Sequence, residues 1–119
     1  MARPAAWPTL LNRMLSNLTP AQIRDALASR TDILLVDVRE PAEYALAHID
    51  GATLIPMRAL PEALTTLPRD REIVLLCHHG MRSQMAGEFL LAQGFPRVAH
   101  MVGGIDRWSE EVDPAVARY

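Results

Sequence analysis

Short apolar runs and longer stretches with three- and four-residue spacing alternate along the chain. Ile33–Val36 and Ile73–Leu76 are unbroken apolar runs, with shorter, mostly apolar stretches at Val98–Met101, where His100 interrupts, and at Thr53–Ile55. A run without polar alternation reads as a strand covered on both faces, as in a parallel sheet. Between the runs, Thr19-Pro20-Ala21-Gln22 places a capping residue, a proline at the first helical position and a glutamine three after the cap, ahead of an apolar face of Ile23, Ala26 and Leu27. Pro41 to Leu46 and Leu60 to Leu67 predict two short helices, the second flanked by Pro61 and Pro68, and a last helix runs from about 105 to Glu111. Strands alternating with helices predict an α/β fold: a parallel sheet of about five strands, helices on both faces, right-handed crossovers.

The stretch from Ile73 to Gly94 carries the chemistry. The strand Ile73-Val74-Leu75-Leu76 delivers Cys77, the one cysteine, into His78-His79-Gly80-Met81-Arg82-Ser83, and a helical spacing of Met85, Ala86, Phe89 and Leu90 follows. The loop is therefore also a helix N-terminus, where backbone N–H groups and the helix dipole favour an anion. Arg82 adds a fixed positive charge. Such surroundings lower a cysteine pKa from about 8.5 to roughly 3.5–7.5. The seven residues after Cys77 have no aliphatic side chain except Met81, so the reading is an exposed, reactive thiol rather than an inert core cysteine.

Cys77-x-x-Gly80-x-Arg82-Ser83 resembles the active-site loop of the rhodanese family of sulfurtransferases. Leu34-Leu35-Val36-Asp37-Val38-Arg39-Glu40 with Glu43-Tyr44, His48-Ile49-Asp50-Gly51-Ala52, and Gly103-Gly104-Ile105-Asp106-Arg107-Trp108 resemble further segments of that family, in the same order. Ala47 and Asp50 stand where the family has glycine and proline. The resemblance covers the chain from about Thr19 onward, which sets a rhodanese-like domain at 18–119 behind an N-terminal extension at 1–17. It implies sulfur transfer from a donor such as thiosulfate to a thiophilic acceptor, cyanide in vitro, through a persulfide on Cys77.

The resemblance makes Cys77 and Arg82 the catalytic residues, with His78, His79, Gly80, Met81 and Ser83 completing the loop. Gly80 lets the loop turn inward, and Ser83 caps the helix start or meets the sulfur. Asp37 and Arg39 fall at a strand end, where open parallel sheets bind ligands. Arg39 is a candidate either for pairing with Asp37 or Glu43 or for an anionic donor, and Asp37 for a supporting role. Loop length separates two activities of related folds. Cys77 to Arg82 spans six residues, whereas phosphatases and arsenate reductases of similar fold carry one more, wide enough for a tetrahedral oxyanion. A persulfide carrier or partner-binding module is the other alternative.

Composition removes several function classes. All 12 basic residues are arginines, scattered against 14 acidic ones for a net charge of -2, which gives no nucleic-acid face. A single cysteine forms no internal disulfide and points to the cytoplasm. Residues 1–17 contain Leu10, Leu11, Met14 and Leu15 at helical spacing, but Pro4, Pro8, Asn12 and Arg13 break any membrane-length run. That segment packs on its own domain in a monomer, or supplies a dimer contact. His78, His79 and Cys77 are consecutive and cannot all face one metal, so neither a metal nor a cofactor is expected. His48 and His100 read as structural, and Trp7 and Trp108 as packing residues. The partners implied are a small sulfur donor and a thiol or protein acceptor.

Overall fold

Five parallel strands form one sheet, with the strand that leads into Cys77 in its middle. A computed structural model of the chain describes residues 14–119. In chain order the elements are β1 (Ser16–Leu18), α1 (Pro20–Ser29), β2 (Ile33–Asp37), α2 (Pro41–Leu46), β3 (Thr53–Leu54), a 3-10 turn (Met57–Ala59) leading into α3 (Leu60–Ala63), β4 (Glu72–Leu76), α4 (Met81–Ala92), β5 (Val98–Met101) and α5 (Gly104–Glu111). The sheet order is β1-β5-β4-β2-β3, every pairing parallel.

Side chains alternate across a strand, so an unbroken apolar run must fill two cores at once. Ile73 and Leu75 of β4 pack on one face with Val36, Ala86, Leu90 and Phe95. Val74 and Leu76 pack on the other with Ile23, Leu35, Ile105 and Trp108. Helices α3 and α4 cover the first face, α1 and α5 the second. Each such leucine or isoleucine contributes about 1.5–3 kcal/mol when fully buried. The capping box predicted at Thr19 is formed, its hydroxyl accepting from Gln22 N at 3.1 Å and Gln22 Oε1 from Thr19 N at 2.9 Å.

Two elements differ from expectation. Strand β1, which the apolar pattern does not announce, spans the expected 17/18 boundary. Ser16, Asn17 and Leu18 pair with Ala99, His100 and Met101, and three residues at a sheet edge leave no periodic signal. The helix expected over 60–67 ends at Ala63, because Thr66 turns its hydroxyl onto the Ala63 carbonyl at 3.1 Å and such side-chain bonding competes with the helical ladder. Of the apolar stripe at the start of the chain, Leu10 and Leu11 lie outside the described residues, as does Trp7. Met14 is exposed and Leu15 packs against the α4 face of the core.

Parallel strands bring their carboxyl ends to one edge. Asp37 sits level with Leu76, His100 with Leu75, and Asn17 with His100. That edge holds the site.

Candidate active site

Cys77 leaves β4 and the chain at once curls back over its sulfur. The Sγ atom accepts the backbone N–H of Gly80 at 3.0 Å and that of Ser83 at 3.3 Å, and lies 3.6 Å from the Ser83 hydroxyl. Gly80 is the residue before α4, at a φ of 111° with no side-chain cap; this left-handed backbone favours glycine. The sulfur itself occupies the place of a helix cap, at the positive end of the α4 dipole. The carbonyls are turned the other way. Those of Cys77 and His78 accept the amides of Ile105 at 2.8 Å and Asp106 at 3.2 Å, at the start of α5. This approach is so close that a Cβ on Gly104 would lie 2.6 Å from the Cys77 carbonyl oxygen and nearer still to that of His78. Two helix N-termini thus sort the loop, donors facing the sulfur and acceptors facing away.

Cys77 is not exposed. Its relative accessibility is 1%, and it belongs to the core cluster with Leu75 and Ala86. Its side chain keeps the inward parity of Ile73 and Leu75, and the polar loop closes over it, so the polarity of the following residues does not translate into exposure of the thiol. Burial and the anion-favouring cradle coexist.

Arg82 makes its hydrogen bonds to Glu43 of α2 rather than to the loop carbonyls. Nη1 and Nη2 reach the two carboxylate oxygens at 2.6 and 2.9 Å. The guanidinium holds Glu43 well below the usual carboxylate range, at about 2, against the opposing effect of burial. Arg82 in turn is pushed above its ordinary value, by Glu43 first and with a smaller contribution from Cys77. The Tyr119 hydroxyl donates to Glu43 Oε2 at 2.7 Å and accepts from Arg39 Nη1 at 2.9 Å. Asp37 and Arg39 are 0% exposed. Arg39 is spent on Asp37 through Nε and Nη2 and on the carbonyls of Glu43 and Ala47. Burial opposes its charge, and Asp37 and Tyr119 more than offset this. Of the two roles open to Arg39, the geometry gives the supporting one.

The Tyr119 ring stacks on His78 at 4.0 Å between centroids, and His78 stacks on His79 at 3.9 Å. Ligand atoms of His78, His79 and Asp106 come within 4.8 Å of one another, but both Asp106 oxygens are taken by Arg118 at 2.9 and 3.1 Å. Met81 projects outward at 75% exposure. On the opposite side, the buried Ser83 hydroxyl meets His100 Nδ1 at 3.1 Å, and His100 Nε2 meets Asn17 Oδ1 at 2.9 Å. His48 stacks on Tyr44, and Trp108 is a core residue.

Four residues at this site escaped the sequence reading as functional candidates: Asn17, Glu43, His100 and Tyr119. Glu43 was visible within the Glu43-Tyr44 segment. Asn17, His100 and Tyr119 have no local signal.

A parallel α/β sheet whose central strand leads into a cysteine, its sulfur accepting two backbone amides at the start of a helix, defines a cysteine-loop protein. The rhodanese-like domain profile matches residues 19–111, and the chain belongs to that family. It is 41% identical over 106 residues to the probable adenylyltransferase/sulfurtransferase MoeZ of Mycobacterium tuberculosis, covering 87% of this chain but 27% of MoeZ; the chain thus spans about a quarter of that relative's length. It is 38% identical over 104 residues to a sulfurtransferase of Allochromatium vinosum, covering 87% of this chain and 97% of that one. The crystal structure of a rhodanese-related protein from Thermoplasma volcanium superposes with a TM-score of 0.75 at 32% identity, over 87% of this chain and 99% of that one. Relatives of this chain are thus named sulfurtransferases. No helix among the described residues is long and apolar enough to cross a membrane.

Proposed function

We propose that this protein is a sulfurtransferase working by double displacement through a Cys77 persulfide. The observation that carries the reading is the pair of amides, Gly80 at 3.0 Å and Ser83 at 3.3 Å, aimed at one sulfur atom. The Cys77 thiolate attacks the outer sulfur of a donor such as thiosulfate. A new S–S bond forms as the donor's own S–S bond breaks, and sulfite leaves with the electron pair. The terminal sulfur of the persulfide then passes to a nucleophilic acceptor, cyanide in the assay or a thiol in the cell, and Cys77 leaves as thiolate. Loop amides and the α4 dipole stabilise the anion at each stage, and no cofactor takes part. The catalytic residues are Cys77, which bonds to the transferred sulfur, and Arg82, whose charge faces the anion from its station on Glu43. Asp37, Arg39 and Glu43 support them. A protein with one thiol suits the reducing cytoplasm, and the named relatives support a thiol or protein acceptor.

The test is mass spectrometry of the protein after incubation with thiosulfate, followed by cyanide. One added sulfur on Cys77, lost as thiocyanate forms, is the expected result. Absence of the added sulfur, or Cys77-dependent hydrolysis of an aryl phosphate, overturns the reading. A persulfide that forms but passes to cyanide without turnover makes the protein a carrier instead.

A further inference from the structure

Behind the amide cradle runs a second line of contacts that sulfur transfer by a preformed thiolate does not require. Ser83 is fully buried and His100 nearly so. From Cys77 Sγ the line goes to Ser83 Oγ at 3.6 Å, from there to His100 Nδ1 at 3.1 Å, and from His100 Nε2 to Asn17 Oδ1 at 2.9 Å. The Asn17 oxygen can only accept, so the imidazole proton belongs on Nε2 and Nδ1 is an acceptor. The Ser83 hydroxyl has one proton and two acceptors within reach, His100 Nδ1 and the Gly80 carbonyl, each at 3.1 Å. With its proton on either of them, Ser83 presents oxygen lone pairs to the sulfur and can receive its proton.

We infer that Ser83 and His100 form a buried relay that receives the Cys77 proton. The S–H proton moves to Ser83 Oγ while the Ser83 hydroxyl proton moves to His100 Nδ1. Sulfur ends as thiolate, imidazole as imidazolium, and the net charge is unchanged. The imidazolium then donates Nδ1–H to Ser83, whose own proton is free to turn toward the thiolate. His100 is thus a positioning residue acting through Ser83. It borders an open groove of about 420 Å³, shared with Asn17, His79 and Gln84, through which the proton exchanges with water. The ionisable groups about His100 are Cys77 at the end of β4, Glu88 on α4 and His79 on the loop, while β1 brings the uncharged Asn17. Burial lowers the His100 pKa and Glu88 opposes this; in the relay the thiolate is the counter-charge of the imidazolium.

The relay rests on the sulfurtransferase reading for its purpose, but its test needs no sulfur transfer. The pH midpoint of Cys77 alkylation by iodoacetamide is measured in the wild type, Ser83→Ala and His100→Gln, and the His100 ring titration is followed by NMR in the wild type and Cys77→Ala. Glutamine keeps an acceptor for the Ser83 hydroxyl but cannot take its proton, so it rescues a merely structural role. Both relay variants should alkylate with a midpoint raised by about one pH unit, roughly tenfold less thiolate at neutral pH, and His100 should titrate lower in Cys77→Ala. A wild-type midpoint in His100→Gln, or a His100 titration indifferent to Cys77→Ala, overturns the relay. Linked titrations in a protein that transfers no sulfur would overturn the function and leave the relay standing.

Discussion

Arg82 and Glu43, 39 residues apart, meet in a two-point ion pair of 2.6 and 2.9 Å that joins the first turn of α4 to α2. The pair explains why the loop's cation does not lie on the sulfur. Its planar fork is satisfied by two carboxylate oxygens, and the carboxylate is fixed by the Tyr119 hydroxyl at 2.7 Å. Arg82 is therefore held at a fixed station on Glu43 and makes no hydrogen bond to the sulfur. A guanidinium held in two places loses little further freedom when an anion arrives.

Arg82→Lys keeps the charge and loses the fork. Lysine makes one contact with Glu43 and leaves the second oxygen to water, so sulfur transfer from thiosulfate should fall by roughly tenfold or more with the fold unchanged by circular dichroism. A wild-type kcat/KM would show that the fork has no bearing on transfer.

Glu43 gives the site a defined acid limit. Its folded pKa of about 2 lies below the ordinary value of about 4.3, so the folded state binds fewer protons than the unfolded state between these values. The stability that the pair contributes is fully present above about pH 4.3 and lost as pH falls through about 2. Arg82 is 37% exposed at its side chain, and solvent screening limits the contribution to about 1 kcal/mol. Urea unfolding of wild type and Glu43→Gln should differ by a constant amount from pH 5 to 7 and converge in acid. A gap that persists at pH 2 would assign the stability to something other than the ion pair.

Cys77→Ser should remove transfer entirely while the protein stays folded, since serine is close in size and can accept the Gly80 and Ser83 amides. A hydroxyl buried in the cysteine's place is more polar than the thiol, so a small loss of stability, about 1 kcal/mol, accompanies the change. Residual transfer by the serine variant would place the sulfur on some other group.

Gly104→Ala should damage the loop from behind. Gly104 has a φ of 66°, and an added Cβ would run into the carbonyls of Cys77 and His78. The start of α5 must then withdraw, releasing both carbonyls from their amides. We expect a loss of about 2–4 kcal/mol in stability and a slower transfer rate in whatever remains folded. Unchanged values for both would mean that α5 does not set the direction of the loop carbonyls.

How much of this was legible in the sequence follows from the range of each interaction. Burial on two faces leaves a local mark, an apolar run such as Ile73–Leu76, and so do a capping box at Thr19 and a six-residue loop from Cys77 to Arg82. The fold class, the sulfur-binding loop and the family resemblance depend on such marks, and the residues alone determine them. The burial of Cys77 leaves no such mark, because polar neighbours in sequence say nothing of where a loop lies once it folds back. The Arg82 partner, the burial of Arg39, the stacking of Tyr119 on His78, and the line from Cys77 through Ser83 to His100 and Asn17 join residues brought together by strand order and register. Asn17 meets His100 because β1 pairs with β5 across 83 residues of chain. Charge and hydrogen bonding act over a few ångströms of space whatever the separation along the chain, so these partnerships were settled by the tertiary structure.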